Sequence, residues 1–457
     1  MINEETIAAI STPPGMGGIA IIRISGEKAF DICEKIFCRP SNKSLSEASN
    51  FSLSYGHIAD ENGDILDEVL LGKMCAPHTY TTEDVAEINC HGGYAAAKSI
   101  LDLVLKCGAR IAEPGEFTKR AFLGGRIDLS QAEAVSDMIN TKTEVFSKIA
   151  ARQISGRLKD AIDDIKAKIL TVLSNLEVSI QYPEYDIDEL TDFELKIELE
   201  KVKESVSELA ASFRKGEIYK DGLKTAIVGK PNVGKSMLLN AILNEEKAIV
   251  TDIPGTTRDV IDETVCLNGV PVKLLDTAGI RESLDTVEAI GIKRSLKAME
   301  ESDLTLFVAD AASPLTADDI DIYEKIKDRP HIVVLNKCDE PLCEATLKYF
   351  ENDKFVLISA KTGKNLKQTE QMISEFAENE PGDILGGTVL VNARHKRLID
   401  NALECIAQAL LTFDAGMPVD LCEIDIRNAW RYLGEITGET ADEDIVNEIF
   451  ANFCLGK

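Results

Sequence analysis

The chain has 457 residues, which is too long for one hydrophobic core and predicts about three domains. Its hydrophobic content of 44% is typical of soluble globular proteins, and no apolar run approaches the roughly 18 residues that would span a bilayer. The formal net charge of −28 disfavours a general nucleic-acid coat, so an RNA contact would have to use a local basic cluster.

Some basic clusters are candidates for such a contact, although an ordinary solvated helix face is the simpler interpretation of each. They are Lys119, Arg120 and Arg126; Lys293, Arg294 and Lys297; and Arg394, Lys396 and Arg397.

The compartment is indicated by the cysteines and by the start of the chain. Eleven cysteines occur without a C-x-x-C pair, and residues 1–15 lack the basic and apolar regions of a secretory signal. We therefore expect reduced thiols and a cytoplasmic protein that has no contact with a membrane.

The first 118 residues alternate short apolar runs with turns, which predicts an α+β domain. Strands are expected over 6–12, 18–26, 65–74 and 83–89, and a helix over 95–106 that ends at Gly108. Glycines 15, 17 and 18 lie between two of these strands with no helix after them, so a turn is favoured over a dinucleotide-binding loop.

From residue 129 the pattern of apolar residues becomes that of helices. Apolar residues recur at three- and four-residue spacing without proline up to Pro183, which predicts one long amphipathic helix. A second helix is expected from Asp192 to about Gly216. Strands and helices then alternate up to about residue 378, as in a parallel sheet covered by helices, and the chain is helical again from Asn392.

The predicted fold class is therefore multidomain α/β. It combines an α+β N-terminal domain, an α-helical domain split in sequence, and an inserted domain with a mainly parallel sheet. The expected boundaries are 1–118 for the N-terminal domain, 119–217 and 381–457 for the two helical parts, and 218–380 for the inserted domain.

Residues 229–236 read GKPNVGKS, a phosphate-binding loop between a predicted strand and a predicted helix. TTRD at 256–259, DTAG at 276–279 and NKCD at 336–339 follow in that order. One such loop recurs by chance, but the ordered set predicts a P-loop GTPase domain that binds and hydrolyses GTP. The backbone N–H groups of the loop and the dipole at the N-terminus of the following helix would stabilise bound phosphates.

Each of these segments has an expected role. Lys235 should reach the β- and γ-phosphates, and Ser236 should bind Mg²⁺, with Asp276 holding the ion through water. The Gly279 N–H can reach the γ-phosphate. Asp339 can accept from N1–H and the 2-amino group of guanine, and adenine offers neither. The full expected set of GTP contacts is Asn232, Val233, Gly234, Lys235, Ser236, Met237, Thr251, Asp252, Ile253, Pro254, Gly255, Thr256, Thr257, Asp276, Thr277, Ala278, Gly279, Asn336, Lys337, Asp339, Ser359, Ala360 and Lys361.

Two positions depart from the commonest GTPase pattern. Ile280 follows DTAG, where many GTPases place a glutamine that orients the attacking water, so another group must do this here. Asn232 offers an uncharged oxygen close to where an arginine finger would deliver charge, which suits a monovalent cation. A role in shaping the loop is the alternative for Asn232.

Several segments of the chain resemble a known family. GKPNVGKS, TDIPGTTRD and DTAGIRE resemble the potassium-activated GTPases of the TrmE-Era-EngA-YihA-Septin-like superfamily. TPPGMGGIAIIRISG, EDVAEINCHGG, PGEFTKRAFLGGRIDLSQAEA and the terminal FCLGK resemble one family within it, the MnmE (TrmE) tRNA modification GTPases, and this resemblance covers essentially the whole chain.

The resemblance implies an N-terminal tetrahydrofolate-binding and dimerisation domain, a homodimer, and a heterotetramer with the flavoprotein MnmG. Together, such enzymes add an aminomethyl or carboxymethylaminomethyl group to carbon 5 of the tRNA wobble uridine. It also implies that K⁺ orders the loop around residues 251–256 and brings two GTPase domains face to face, which activates hydrolysis.

The same resemblance assigns further residues. It places K⁺ at Asn232, Thr251, Ile253 and Thr256, places Mg²⁺ at Ser236 and Thr257, and gives Glu288 the role of polarising the attacking water. It places a folate, 5-formyl- or 5,10-methylene-tetrahydrofolate, at Arg23, Glu87, Arg126 and Lys457.

Physical chemistry is consistent with the folate residues. Glu87 can accept two N–H bonds from a pterin edge, and cations can meet the glutamate tail. Some relatives have lysine where this chain has Arg126, which keeps the charge and changes the geometry. Cys454 has two open interpretations, a role in the modification chemistry or a buried structural thiol.

Two other functions are known for GTPases of related pattern. A ribosome-assembly GTPase would carry a basic RNA-binding module, and none is visible in this acidic chain. A membrane-remodelling GTPase would carry a basic amphipathic helix, and none is evident in the sequence. Modification of tRNA is therefore the favoured function.

Overall fold

A computed structural model describes most of the chain, in two compact units. The described residues are 5–40, 44–141, 143–181, 192–244, 263–275, 298–384, 386–418, 420–453 and 456. The first unit combines Met1–Ile139, Gln153–Ala167 and Arg427–Lys457, and the second combines Asn140–Arg152 and Lys168–Ile426. No helix among the described residues is long and apolar enough to cross a membrane.

The strands of the first unit form a mixed sheet. They are β1 (Ile7–Ile10), β2 (Ile19–Ser25), β3 (Phe37–Cys38), β4 (Ser52–Ala59), β5 (Ile65–Met74), β6 (Val85–His91) and β7 (Arg110–Ile111). Within the described residues their order is β3-β4-β5-β6-β2-β1-β7, and neighbours are antiparallel except β1 and β7.

One face of this sheet is covered by helices. The first helices are α1 (Ala29–Ile36), α2 (Tyr94–Lys106) and α3 (Glu116–Leu123). Ile22, Ile24 and Ile88 alternate along β2 and β6 and are buried in the same apolar cluster as Ile100 of α2. Because side chains alternate between the faces of a strand, the residues between them lie on the opposite face.

Most predicted elements of the first unit are confirmed. The strands expected over 6–12, 18–26, 65–74 and 83–89 correspond to β1, β2, β5 and β6, and the helix expected over 95–106 corresponds to α2. β1 and β2 pair antiparallel, which confirms that the glycines between them belong to a turn. The short strands β3 and β7, and the longer β4, were not predicted.

The single long helix expected from residue 129 is wrong. The chain forms α4 (Leu129–Asn140), α5 (Glu144–Ile154) and α6 (Arg157–Gln181) instead. The Thr143 hydroxyl accepts a hydrogen bond from the Phe146 amide at 3.2 Å, as an N-terminal cap does, so α5 begins anew. Apolar periodicity carried across these breaks, which is why the sequence pattern did not reveal them.

The expected helix end at Gly216 is also wrong. α7 (Asp192–Ala211) is followed after Ser212 by α8 (Phe213–Asp221), and Gly216 lies inside α8. A Cβ at this position would collide with the Leu390 carbonyl oxygen, so the glycine permits a close approach and does not end the helix. The Ser212 hydroxyl accepts from the Leu390 amide at 3.0 Å.

The second unit contains a mainly parallel sheet, as predicted. Its strands are β8 (Leu223–Val228), β9 (Glu263–Leu267), β10 (Val270–Leu275), β11 (Leu304–Asp310), β12 (His331–Asn336) and β13 (Phe355–Leu357). Among the described residues their order is β13-β12-β11-β8-β10-β9, with β9 and β10 antiparallel and all other neighbours parallel.

Both faces of this sheet are buried. Leu306 and Val308 of β11 pack in one apolar cluster, whereas Phe307 and Ala309 pack in another. The remaining helices are α9 (Lys235–Asn244), α10 (Ala317–Ile326), α11 (Glu344–Tyr349), α12 (Leu366–Glu378), α13 (Ala393–Asp414), α14 (Asp420–Thr437) and α15 (Glu443–Ala451). The helical pattern expected from Asn392 is thereby confirmed for the described residues.

Candidate functional site

The phosphate loop lies where the winding of the parallel sheet reverses. β8 pairs with β10 on one side and with β11 on the other, and the loop leaves its carboxyl end. In open α/β sheets, ligands bind outside the carboxyl ends of the strands at such a reversal. Residues 229–234 then lead directly into α9, whose N-terminal amides and dipole favour an anion.

The Lys235 side chain holds the loop in place by donating to two main-chain carbonyl groups of the loop. Its Nζ donates to the Gly229 and Lys230 carbonyl oxygens, each at 2.7 Å. Burial lowers the pKa of the Lys235 ammonium. Beside it, Asn232 adopts a left-handed backbone with φ of 63°, a conformation that asparagine tolerates well, and its side chain is exposed.

Asn336 ties three predicted nucleotide segments together. Its Nδ2 donates to the Val233 carbonyl oxygen at 2.8 Å, and its Oδ1 accepts from the Ala360 amide at 2.9 Å. The Asn336 side chain is buried, and a Cβ at Gly234 would collide with it. Residues 229–236, 336–339 and 359–361 are therefore brought together as expected.

The residues predicted to contact guanine also lie close together. The Ser359 hydroxyl donates to the Asp339 carboxylate, which lowers the pKa of this carboxyl and keeps it an acceptor at neutral pH. Lys337 has a left-handed backbone with φ of 67°, and its Nζ lies 2.6 Å from Asp310 Oδ2 at the end of β11. An ionised Asp339 can accept two N–H bonds from one base edge.

A second anchor of the loop was missed by the sequence reasoning. Lys230 Nζ lies 2.6 Å from Oδ2 of Asp319, a buried residue in the first turn of α10. Asp319 also accepts from the Thr316 amide at 2.9 Å and from the Thr316 hydroxyl at 2.7 Å. The T-x-x-D spacing is a recognisable capping signal, but nothing in it shows that Lys230 would join it.

Several predicted site residues lie outside the described residues, so their placement stays a prediction. They are Thr251, Asp252, Ile253, Pro254, Gly255, Thr256, Thr257, Asp276, Thr277, Ala278, Gly279, Glu288, Cys454 and Lys457, together with the basic residues Lys293, Arg294 and Lys297.

In the first unit, two of the predicted folate residues, Arg23 and Arg126, contact the same aromatic ring. Arg23 on β2 lies directly opposite Glu87 on β6, and its Nε donates to Glu87 Oε1 at 2.8 Å. The guanidinium carbon of Arg126 is 4.7 Å from the Tyr80 ring centroid, and that of Arg23 is 5.1 Å from it. Tyr80 was not predicted, because no pattern marked it.

The donors present fit a carboxylate-bearing cofactor such as a folate. Arg23 Nη1 is buried and has no hydrogen-bond partner among the described residues. A buried donor without an acceptor is costly, so a ligand carbonyl or carboxylate oxygen at this position would be stabilised. Glu87 uses one oxygen for Arg23, and a carboxylate retains lone pairs for further donors.

Arg120 corrects one expectation. In the sequence it belongs to a basic cluster interpreted as a solvated face, yet its side chain is 5% exposed. Arg120 pairs with Glu83 at 2.9 Å and with Glu116 at 3.0 Å. Arg120 therefore has a structural role, and no surface RNA contact can use it.

Taken together, the phosphate loop between β8 and α9 and the Asn336 bridge define a P-loop nucleotide-binding protein. A family model described as "GTP-binding protein TrmE N-terminus" matches residues 6–126, and one described as "MnmE helical domain" matches residues 129–454. The chain belongs to the MnmE family.

Full-length relatives agree with this membership. The chain is 48% identical over 461 residues to the tRNA modification GTPase MnmE of Acetivibrio thermocellus, and 47% identical over 460 residues to that of Clostridioides difficile, with 100% of both chains covered in each case. A solved structure of Era from Aquifex aeolicus bound to GDP and AlF4⁻ is 29% identical over 40% of this chain and 65% of its own, with a TM-score of 0.27. The predicted class of enzyme, a GTP hydrolase, is confirmed by the full-length relatives.

Proposed function

We propose that the chain hydrolyses GTP to drive modification of tRNA. With the flavoprotein MnmG it would add an aminomethyl or carboxymethylaminomethyl group to carbon 5 of the wobble uridine of certain tRNAs. The observation that carries the nucleotide part is the Asn336 bridge, which joins the phosphate loop to both base-reading segments. The tRNA part is supported by full-length relatives named tRNA modification GTPases.

The residues of the phosphate loop would work by exchanging partners. On GTP binding, the Lys235 ammonium would leave the Gly229 and Lys230 carbonyl oxygens for β- and γ-phosphate oxygens. The α9 amides would donate to the same phosphates. Asp339 would accept two N–H bonds from guanine and exclude adenine, because adenine offers neither donor to this carboxylate.

Metal ions would be held by oxygen donors. Ser236 and Thr257 would hold Mg²⁺, with Asp276 acting through water, and Asn232, Thr251, Ile253 and Thr256 would hold K⁺. The exposed Asn232 side chain and the Ser236 hydroxyl offer the oxygen ligands that such ions prefer. Bound there, the two cations would supply positive charge toward the phosphates, and Glu288 would orient the attacking water.

The other predicted features belong to the same proposal. The domains would span 1–118, 119–217 with 381–457, and 218–380, and K⁺ would promote pairing of two GTPase domains in a cytoplasmic homodimer. A tetrahydrofolate would be held by Arg23, Glu87, Arg126 and Lys457 and would supply a one-carbon group. Cys454 would take part in the modification chemistry.

The tRNA proposal is tested by nucleoside mass spectrometry. Total tRNA from cells that lack the protein should lose the nucleosides modified at carbon 5 of the wobble uridine, while modifications elsewhere in tRNA remain. Unchanged wobble nucleosides in these cells would rule the proposal out.

A further inference from the structure

Tyr80 contacts both described arginines of the proposed folate site. Its ring lies 5.1 Å from the Arg23 guanidinium carbon and 4.7 Å from that of Arg126. Its main-chain carbonyl oxygen also accepts from Arg126 Nε at 2.7 Å. One residue thus fixes two guanidinium groups that come from different parts of the chain.

Tyr80 is itself held in place. Its hydroxyl lies 3.0 Å from the Thr118 hydroxyl of α3, and its ring packs against the buried cluster that contains Phe117. The Arg23 guanidinium also contacts Phe117, whose ring centroid lies 5.7 Å from the guanidinium carbon. The ring is therefore an anchored support for the arginines.

Arg126 needs such a support because its side chain is exposed. A free arginine samples many rotamers, and binding a ligand would have to restrict all of them. The Tyr80 ring and carbonyl restrict Arg126 before any ligand arrives, and preorganisation of this kind raises affinity.

The chemistry of the recognised group follows from the donors. Arg23 retains a buried Nη1 without an acceptor among the described residues, and Arg126 retains guanidinium N–H groups beyond the Nε that Tyr80 occupies. Carboxylates are the preferred partners of guanidinium donors. Arg23 is bonded to Glu87, which would contact the pterin edge, so the buried Nη1 lies at the pterin end of the ligand. We propose that Tyr80 is a positioning residue that holds Arg23 ready for a pterin oxygen and Arg126 ready for the glutamate carboxylates of a folate. This inference rests on the proposed folate site.

The test compares two ligands on wild type and two variants. The first ligand is 5-formyl-tetrahydrofolate, and the second is the amide of 5-formyl-tetrahydropteroate, which keeps the pterin and aminobenzoyl rings and lacks the glutamate carboxylates. Affinities are measured by calorimetry on the full chain, and thermal midpoints confirm that each variant folds. Tyr80→Leu removes the ring at similar size, whereas Tyr80→Phe keeps it.

We expect Tyr80→Leu to weaken 5-formyl-tetrahydrofolate about tenfold, as the loss of two cation–π contacts implies. The amide should weaken by a smaller factor of about threefold, because it keeps only the contact with Arg23. Tyr80→Phe should restore most of the lost affinity. Equal weakening of both ligands, no weakening, or a Phe variant as weak as the Leu variant would each overturn the positioning role. A wild type that binds neither ligand would contradict the folate site itself.

Discussion

Asn336 donates from Nδ2 to the Val233 carbonyl oxygen at 2.8 Å, so the last residue of β12 holds the phosphate loop after β8. The same side chain accepts from the Ala360 amide, so one residue contacts both the phosphate loop and residues 359–361, which are predicted to contact the base. The residue is 3% exposed, and a buried amide that loses a partner leaves an unpaired group behind.

Replacing Asn336 should therefore damage nucleotide binding. Asn336→Ala removes two buried hydrogen bonds and is expected to weaken GTP and GDP about 100-fold, measured by calorimetry. Gln371→Ala is the matched control, because Gln371 is an exposed amide on α12 that bonds Glu375. A variant at Asn336 that binds GTP as tightly as the control would contradict the bridging role.

Asp339 should set the choice of base. Asp339→Asn replaces one acceptor oxygen with an NH₂ donor, which matches the 2-oxo group of xanthine and opposes the 2-amino group of guanine. We expect GTP affinity to fall by about 100-fold or more, so that xanthosine triphosphate becomes the preferred ligand. Competition binding with GTP, ATP and xanthosine triphosphate reports this, and an unchanged preference for GTP would remove Asp339 from the base pocket.

Hydrolysis should depend on the monovalent cation. If Asn232 holds K⁺, turnover should be faster in K⁺ than in Na⁺ at equal ionic strength, since such a charge is worth roughly 10³–10⁵ in related enzymes that use an arginine finger. Steady-state phosphate release in the two salts measures the difference. Equal rates would exclude the cation assignment of Asn232.

Glu116 should govern the acid stability of the first unit. Its carboxylate lies 2.6 Å from Arg110 and 3.0 Å from Arg120 and is nearly buried. Burial acts to raise the pKa of Glu116, but the bonds from Arg110, the Glu113 amide and Arg120 outweigh it, so the pKa lies below its ordinary value. The resulting stabilisation is present above the unfolded pKa of about 4.3 and is lost as the pH falls through the lower folded pKa.

Glu116→Gln should consequently lower the free energy of unfolding by about 3 kcal/mol at pH 7, because a buried ion pair loses one partner. Denaturant unfolding as a function of pH should show the gap between wild type and variant closing in acid. Glu144→Gln is the control, since its pair with Lys148 is exposed. A gap that persists unchanged below the folded pKa would contradict the linkage.

The sequence was most informative where chemistry restricts the choice of residue. The phosphate loop, NKCD and residues 359–361 could be picked out because phosphate and guanine recognition demand particular groups at particular spacings, and the three segments lie in contact in the structure. The β-branched runs of β8, β11 and β12 were equally clear, because strands buried on both faces are apolar throughout.

The tertiary contacts could not be predicted from the sequence. The Thr143 hydroxyl caps a new helix, and the Ser212 hydroxyl accepts a hydrogen bond from Leu390, but neither contact alters the apolar periodicity of the sequence. Arg120 has the sequence context of a surface cation, yet Glu83 and Glu116 surround it in the folded chain. Tyr80 contacts Arg126, and Lys230 pairs with Asp319. The partners in each contact are distant in sequence, so local patterns do not reveal them.

We propose that GTP hydrolysis by this chain drives tRNA modification. The most direct measurement is nucleoside mass spectrometry of tRNA from cells lacking the protein, complemented with wild type or with Lys235→Ala at equal protein level. We predict that wild type restores the modified wobble uridines and that Lys235→Ala, deprived of its phosphate contact, does not. Full restoration by Lys235→Ala would contradict the account.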